Sequence, residues 1–256
     1  MTEEEILFAE LLDEVIRNEQ AITANVKRDI RTLQLDYADI IDKYTRADGT
    51  INNSRVGSMM RDIDSLTVQY SNKLYDGAVD GIDTTTAAVV AFLMANIFGA
   101  GDGSAMDAVS DIAQRRWNGG LTLRDRVDRV SGDVTDKIRT IVRNDVYRNV
   151  APTDILRDVR TVFEQEDWKT DRIMVSEINN AYRLQFGDSM EKNGRDFVQF
   201  YESQWCTRKD HHLHRCHILA NEDRYGRGNG VFRTTDMEIY FPHPQCRGFL
   251  GAYGGA

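Results

Sequence analysis

The first 205 residues of this chain contain neither a histidine nor a cysteine, so any imidazole or thiol chemistry is confined to the C-terminal stretch from Cys206 onward. Other absences narrow the field further. Three cysteines are too few, and odd in number, for a disulfide framework, which fits a reducing compartment or an intracellular assembly site. The opening Met1-Thr2-Glu3-Glu4-Glu5 is acidic where a secretory signal would be basic, so no cleaved export peptide is expected and the chain should remain in the cytoplasm unless packaged. With 32 basic and 41 acidic residues the net charge is −9, a poor match for a phosphate backbone, and sequence-specific nucleic-acid binding is not expected. The arginines of 124–129 interleave with Asp125 and Asp128, as on a solvated helix face. No apolar run reaches the roughly 20 residues of a bilayer span. The longest, Ala87 to Phe98, reads as a buried helix, with partner docking or membrane contact as lesser alternatives. There is no internal repeat and no low-complexity tract.

What remains is a globular chain, 41% hydrophobic over 256 residues, large enough for one big domain or two modest ones. The pattern predicts a mainly α protein: an elongated helical body with a small C-terminal α+β module, the latter a candidate for a zinc staple. Thr2 and Glu5 have capping-box spacing. From Ile22 through Val26, Ile30, Leu33, Tyr37, Ile40 and Tyr44, apolar residues step by four and three, as in a coiled-coil-like seam. After the turn-rich Ala47 to Thr50, a second stripe from Val56 through Met60, Ile63, Tyr70 and Leu74 makes a helical hairpin natural. Further helices are predicted near 84–98, 105–117 and 121–148, with Ser131-Gly132 a kink site. Pro152 ends the last of these, and two more helices follow, from Thr153 to about Glu166 and from Thr170 or Asp171 to Asn193-Gly194. Phe197 to Tyr201 has the texture of a strand, and Met237 to Phe241 that of a short returning strand. The expected division is residues 1–80 as an N-terminal hairpin and docking region, 81–195 as the helical body, and 196–256 as a small His/Cys-rich module.

That module holds all the histidines and cysteines. His214-x-x-His217 and His243-x-x-Cys246 each have the two-residue gap that lets side chains on a tight turn share one ion. The candidate zinc ligands are therefore His214, His217, His243 and Cys246, with Cys206 and Cys216 in reserve because zinc favours thiolate. Three readings stay open: a structural metal, a metal-free module held by hydrogen bonds, and a catalytic site. A module with few strands has little core of its own, so an ion would have folding work to do.

His243-Pro244-Gln245-Cys246-Arg247 resembles the His-Pro-x-Cys-Arg-Cys signature of the phage head-morphogenesis proteins, the Mu F-like minor head family. Upstream, Trp205 and Asp210-x-x-Leu213-x-x-x-His217 are similar to that family's Asp-x-Arg-Val-x-x-x-His element, whose paired metal-type residues fall on His214 and His217. Arg172-Ile173-x-x-Ser176-Glu177-x-x-Asn180 is similar to its Arg-Ile-x-x-Thr-Glu helix, and Trp117 to Leu121 to its tryptophan-glycine turn. Gly248 stands in place of the signature's last cysteine, and His212 in place of an arginine, so a four-cysteine site is excluded. The resemblance spans roughly residues 115 to 250, and residues 1–110 carry none of it.

The resemblance implies a structural virion component inside a tailed-phage capsid near the portal, acting in head morphogenesis or genome delivery, without catalysis. Portal protein, major capsid protein or another copy of the chain are the implied partners. The acidic balance suits a protein that shares a compartment with packaged DNA. The rival class is a metal-dependent hydrolase or nuclease, with Asp210 and His211, His212 or His217 around a metal-bound water and the tail arginines as its phosphate grip. An ejected effector that uses the apolar helix on membranes is a third reading.

Overall fold

The computed structural model describes residues 3–99, 112–116, 120–204 and 213–254. The capping box at Thr2, most of the 105–117 helix, Trp117, Trp205, Cys206, Asp210, His211 and His212 fall outside them. The fold is mainly helical with a small C-terminal sheet, as the sequence pattern indicates. Four long helices come first: α1 (Glu3–Tyr44), α2 (Val56–Leu93), α3 (Leu123–Tyr147) and α4 (Pro152–Lys192). Next along the chain are β1 (Phe197–Tyr201), the short α5 (Arg215–Asn221), β2 (Val231–Arg233) and β3 (Phe249–Ala252). The described chain divides into two compact units that are discontinuous in sequence, because α1, α2 and α4 each contribute a segment to both.

One unit comprises Thr23–Gly77 and Arg116–Ile173. The seam predicted from Ile22 to Tyr44 lies here from Val26 onward, and that part is closed from within. Val26, Ile30, Leu33, Tyr37 and Tyr44 are buried, as are Ile63, Tyr70 and Leu74 on α2, but Ile40 is only half-buried and Ile41 takes the core position expected of it. Phe163 of α4 packs edge-on to both Tyr37 and Tyr70, at centroid distances of 5.6 and 6.2 Å. The expected hairpin turn forms at Asp48, whose carboxylate accepts from the Thr50 N–H at 2.9 Å. Thr122 caps α3 in a reciprocal box with Asp125, and the helix runs through Ser131 and Gly132 unbroken. Beside it, buried Glu166 is ion-paired with Lys137 and, at 2.8 Å, with Lys169.

The other unit comprises Met1–Ile22, Ala78–Arg115 and Met174–Ala256. Phe8 is its aromatic centre, 5.9 Å from Phe92 and 5.6 Å from Phe186. The sheet order is β2-β1-β3, antiparallel throughout, with Val198 opposite Phe232 on one side and Phe200 opposite Leu250 on the other. Alternation in β1 buries Val198 and Phe200, the period-two pattern expected of a half-covered strand. The Tyr182 hydroxyl on α4 donates to the Leu250 carbonyl at 2.8 Å, which joins helix and sheet.

Several expectations about elements are corrected. The run near 84–98 is no separate helix, since α2 continues to Leu93 and into a wider turn at Met94–Phe98. Among the described residues the stretch Asn53–Phe98 is one helix apolar and long enough to cross a membrane by length and composition, and 33% of its most apolar window is buried. The break expected between 166 and 170 does not occur: α4 is one helix of 41 residues, with Pro152 at its first turn. Proline suits that position because its missing N–H would have no partner there, whereas Thr170 is buried inside a helix already under way. The returning strand expected at Met237–Phe241 is instead a 3-10 turn over Met237–Ile239, and the strands that pair with β1 are β2 and β3.

Candidate metal centre

The site is assembled from two short pieces of the unit that carries the sheet. The first is the start of α5. His214 occupies the N-cap position with extended backbone, and Cys216 follows in the first turn, fully buried. α5 packs against β1, and Arg215 is ion-paired with Glu238 in the 3-10 turn. The second piece is the loop that carries His243 and Cys246. Its turn is closed by the Cys246 N–H donating to the His243 carbonyl at 3.3 Å, with Gln245 in the left-handed region at φ 59°.

Together these pieces place the ligand atoms of His214, Cys216 and His243 within 4.8 Å of one another. The His214 and His243 rings lie 5.3 Å apart at 74°. The His243 ring sends Nδ1 to the Pro244 carbonyl at 2.8 Å, and a carbonyl can only accept, so Nδ1 carries the proton. Nε2 is thereby turned inward, 3.1 Å from the Cys216 sulfur. An outer hydrogen bond that fixes the tautomer in this way is the usual support of a histidine ligand.

Cys246 lies beside this group of three without being one of its members. Its sulfur is buried, has Cys216 and His243 beside it, and accepts the Gly248 N–H at 3.3 Å. The bond from Cys216 holds the Cys246 thiol well below its ordinary range; burial opposes this, and His243 and the Arg183 charge reinforce it. For His243 burial is the largest influence and pulls the other way, but the bond and charge of Cys246 and the Pro244 carbonyl leave its pKa raised. One sulfur and two imidazoles form a soft donor set, with the Cys246 thiol, biased toward thiolate, beside them.

The residues proposed from sequence thus part company. His214 and His243 converge, Cys216, held in reserve, joins them, and Cys246 stands beside the group of three. His217 goes elsewhere: Nδ1 is 2.8 Å from a Glu202 carboxylate oxygen and Nε2 is 3.5 Å from the Asn221 amide. The reason is helical geometry. His214 precedes α5 as its N-cap with extended backbone, so the i, i+3 relation of a helix face does not hold between it and His217, whose ring is taken by Glu202. Cys206 lies outside the described residues.

Sequence reasoning missed Arg183. This side chain is fully buried on α4 and donates to the carbonyls of Tyr240 (3.0 Å), Cys246 (3.1 Å) and Gly248 (2.8 Å), and to Asn180 Oδ1 (2.6 Å). Its signal was available: an arginine set in a helical stretch whose neighbours Ile178, Ala181, Tyr182 and Phe186 are apolar or aromatic. Gly248 is explained by close approach, since a Cβ there would lie 2.4 Å from the Phe200 ring. Comparison of the chain with protein-family models, with curated proteins and with solved structures gave no match.

Proposed function

We propose that this chain is a structural minor head protein of a tailed phage, placed inside the capsid near the portal, and that zinc staples its C-terminal module through His214, Cys216, His243 and Cys246. The observation that carries this reading is that the segments bearing the resemblance interlock in space. The Gln245 N–H donates to Ser176 Oγ at 3.0 Å, and Asn180, in the same helical segment, orients the arginine that holds Cys246. The signature and the helix are two halves of one small construction.

Four protein ligands leave a tetrahedral ion no open position, and a closed site stabilises structure. The zinc would cross-link α5 to the 240–248 loop, and the chain's own residues do the rest: Cys216 and Cys246 supply charge, and Pro244 and the Gly248 N–H orient the ligands. Of the groups the hydrolase reading draws on, His217 is held by Glu202 and Asn221, while Asp210, His211 and His212 lie outside the described residues.

The test is mass spectrometry of purified DNA-filled heads from cells that produce the chain together with its portal protein. The reading predicts the chain in heads at low copy number, co-purifying with portal. Its absence from heads, with portal and capsid protein present, would overturn it.

A further inference from the structure

We propose that Arg183 is the positioning residue of the His/Cys site, its guanidinium fork setting the loop that carries His243 and Cys246 before any ion arrives. The role of the ion here rests on the zinc reading; the role of the fork does not.

The loop from Tyr240 to Gly248 has no strand ladder of its own, so its carbonyls need partners from elsewhere. Three of them find one side chain. The fork takes Tyr240 at the loop's start, Gly248 at its end, and the carbonyl of Cys246 itself. Gly248, held by its carbonyl, in turn donates its N–H to the Cys246 sulfur. The orientation of that sulfur is therefore fixed from both sides by one cation.

A planar guanidinium with five N–H donors can serve acceptors spread along a loop, whereas an ammonium is a point donor that reaches fewer of them. Burying a cation is costly unless its donors are satisfied, and Asn180 Oδ1, at 2.6 Å, occupies the remaining arm. The other pair, His214 and Cys216, sits on α5 and is tied down separately by the Arg215–Glu238 ion pair. Loss of the fork should then loosen one arm of the site and spare the other.

The experiment compares full-length wild type with Arg183→Lys, which keeps the charge and removes the fork. Two readings are taken: the visible ligand-field spectrum and affinity for Co2+, and, in chelator without metal, the rate of alkylation of Cys246 relative to Cys216, mapped by mass spectrometry. We expect Arg183→Lys to weaken Co2+ binding by about 10- to 100-fold, the scale for outer-shell partners, to change the band shape, and to raise the Cys246 rate several-fold while Cys216 changes little. Wild-type spectrum, affinity and alkylation ratio in Arg183→Lys would overturn the proposal. Asn180→Ala, which removes a single acceptor, covers the case in which Arg183→Lys fails to fold: it should shift both readings in the same direction by less, and unchanged readings would also overturn it. If wild type takes up no Co2+, the zinc reading fails, and the alkylation ratio still decides the role of Arg183.

Discussion

Arg247 grips Glu19 with two hydrogen bonds, Nη2 to Oε1 at 2.8 Å and Nε to Oε2 at 3.1 Å, across 228 positions of sequence. Glu19 is 1% exposed and also accepts from Asn179 at 3.0 Å. A buried carboxylate of this kind fastens the residue next to Cys246 to the first helix of the chain. Glu19→Ala should therefore take the acceptor from three N–H donors on two side chains and cost about 1–3 kcal/mol in denaturant unfolding, with Glu19→Gln losing less. A change under about 0.5 kcal/mol would mean that water replaces the carboxylate without penalty.

Gly187 predicts a steric effect in the same unit. A Cβ there would lie 2.0 Å from the Tyr240 hydroxyl and 2.5 Å from its ring. That hydroxyl donates to the Thr234 carbonyl at 2.6 Å, so the tyrosine has a position to lose. Gly187→Ala should destabilise by roughly 1–3 kcal/mol, the usual cost of overpacking, although alanine is the better helix former. A thermal midpoint equal to or above wild type would contradict this.

Acid should act on the other unit through Glu166. Burial alone would raise its pKa, but the hydrogen bonds from Lys137 and Lys169 outweigh it and hold the group below the usual 4.5. A carboxyl depressed in the folded state contributes stability above the unfolded pKa and loses it as pH falls through the folded value. Unfolding followed from pH 7 downward should show wild type losing stability below about pH 4.5, with Glu166→Gln less stable at neutral pH by about 1–2 kcal/mol and flatter in acid. Parallel curves for the two proteins would exclude the contribution.

Catalysis is expected to be absent. Pure protein incubated with single- and double-stranded DNA and divalent metals should leave the DNA intact, since a net charge of −9 offers phosphate little attraction. Cleavage that disappears in His217→Ala would instead favour the hydrolase reading.

How far the sequence could be read depended on the range of the interactions. Helical spacing at Val26, Leu33 and Tyr37, or at Ile63 and Tyr70, is local and pointed to faces that are indeed buried. Element ends were harder. Thr170 has the chemistry of a cap but sits mid-helix because its surroundings are buried, a tertiary effect that outranks local preference. In the site, His214, His243 and Cys246 were visible as short-spaced pairs. The choice of Cys216 over His217 was not, because it depends on His214 serving as an N-cap and on Glu202 arriving from the end of β1 to take the imidazole. The apolar neighbours of Arg183 mark it as buried, but its partner Cys246 stands 63 positions away, beyond any local pattern.

X-ray absorption at the zinc edge of protein purified without chelator tests the central claim, a closed site of two thiolates and two imidazoles. The account predicts about one zinc per chain with two sulfurs near 2.3 Å and two nitrogens near 2.0 Å, retained in His217→Ala and lost when His243 and Cys246 are replaced together. Protein without zinc, or zinc whose coordination includes water in place of a sulfur, would contradict it.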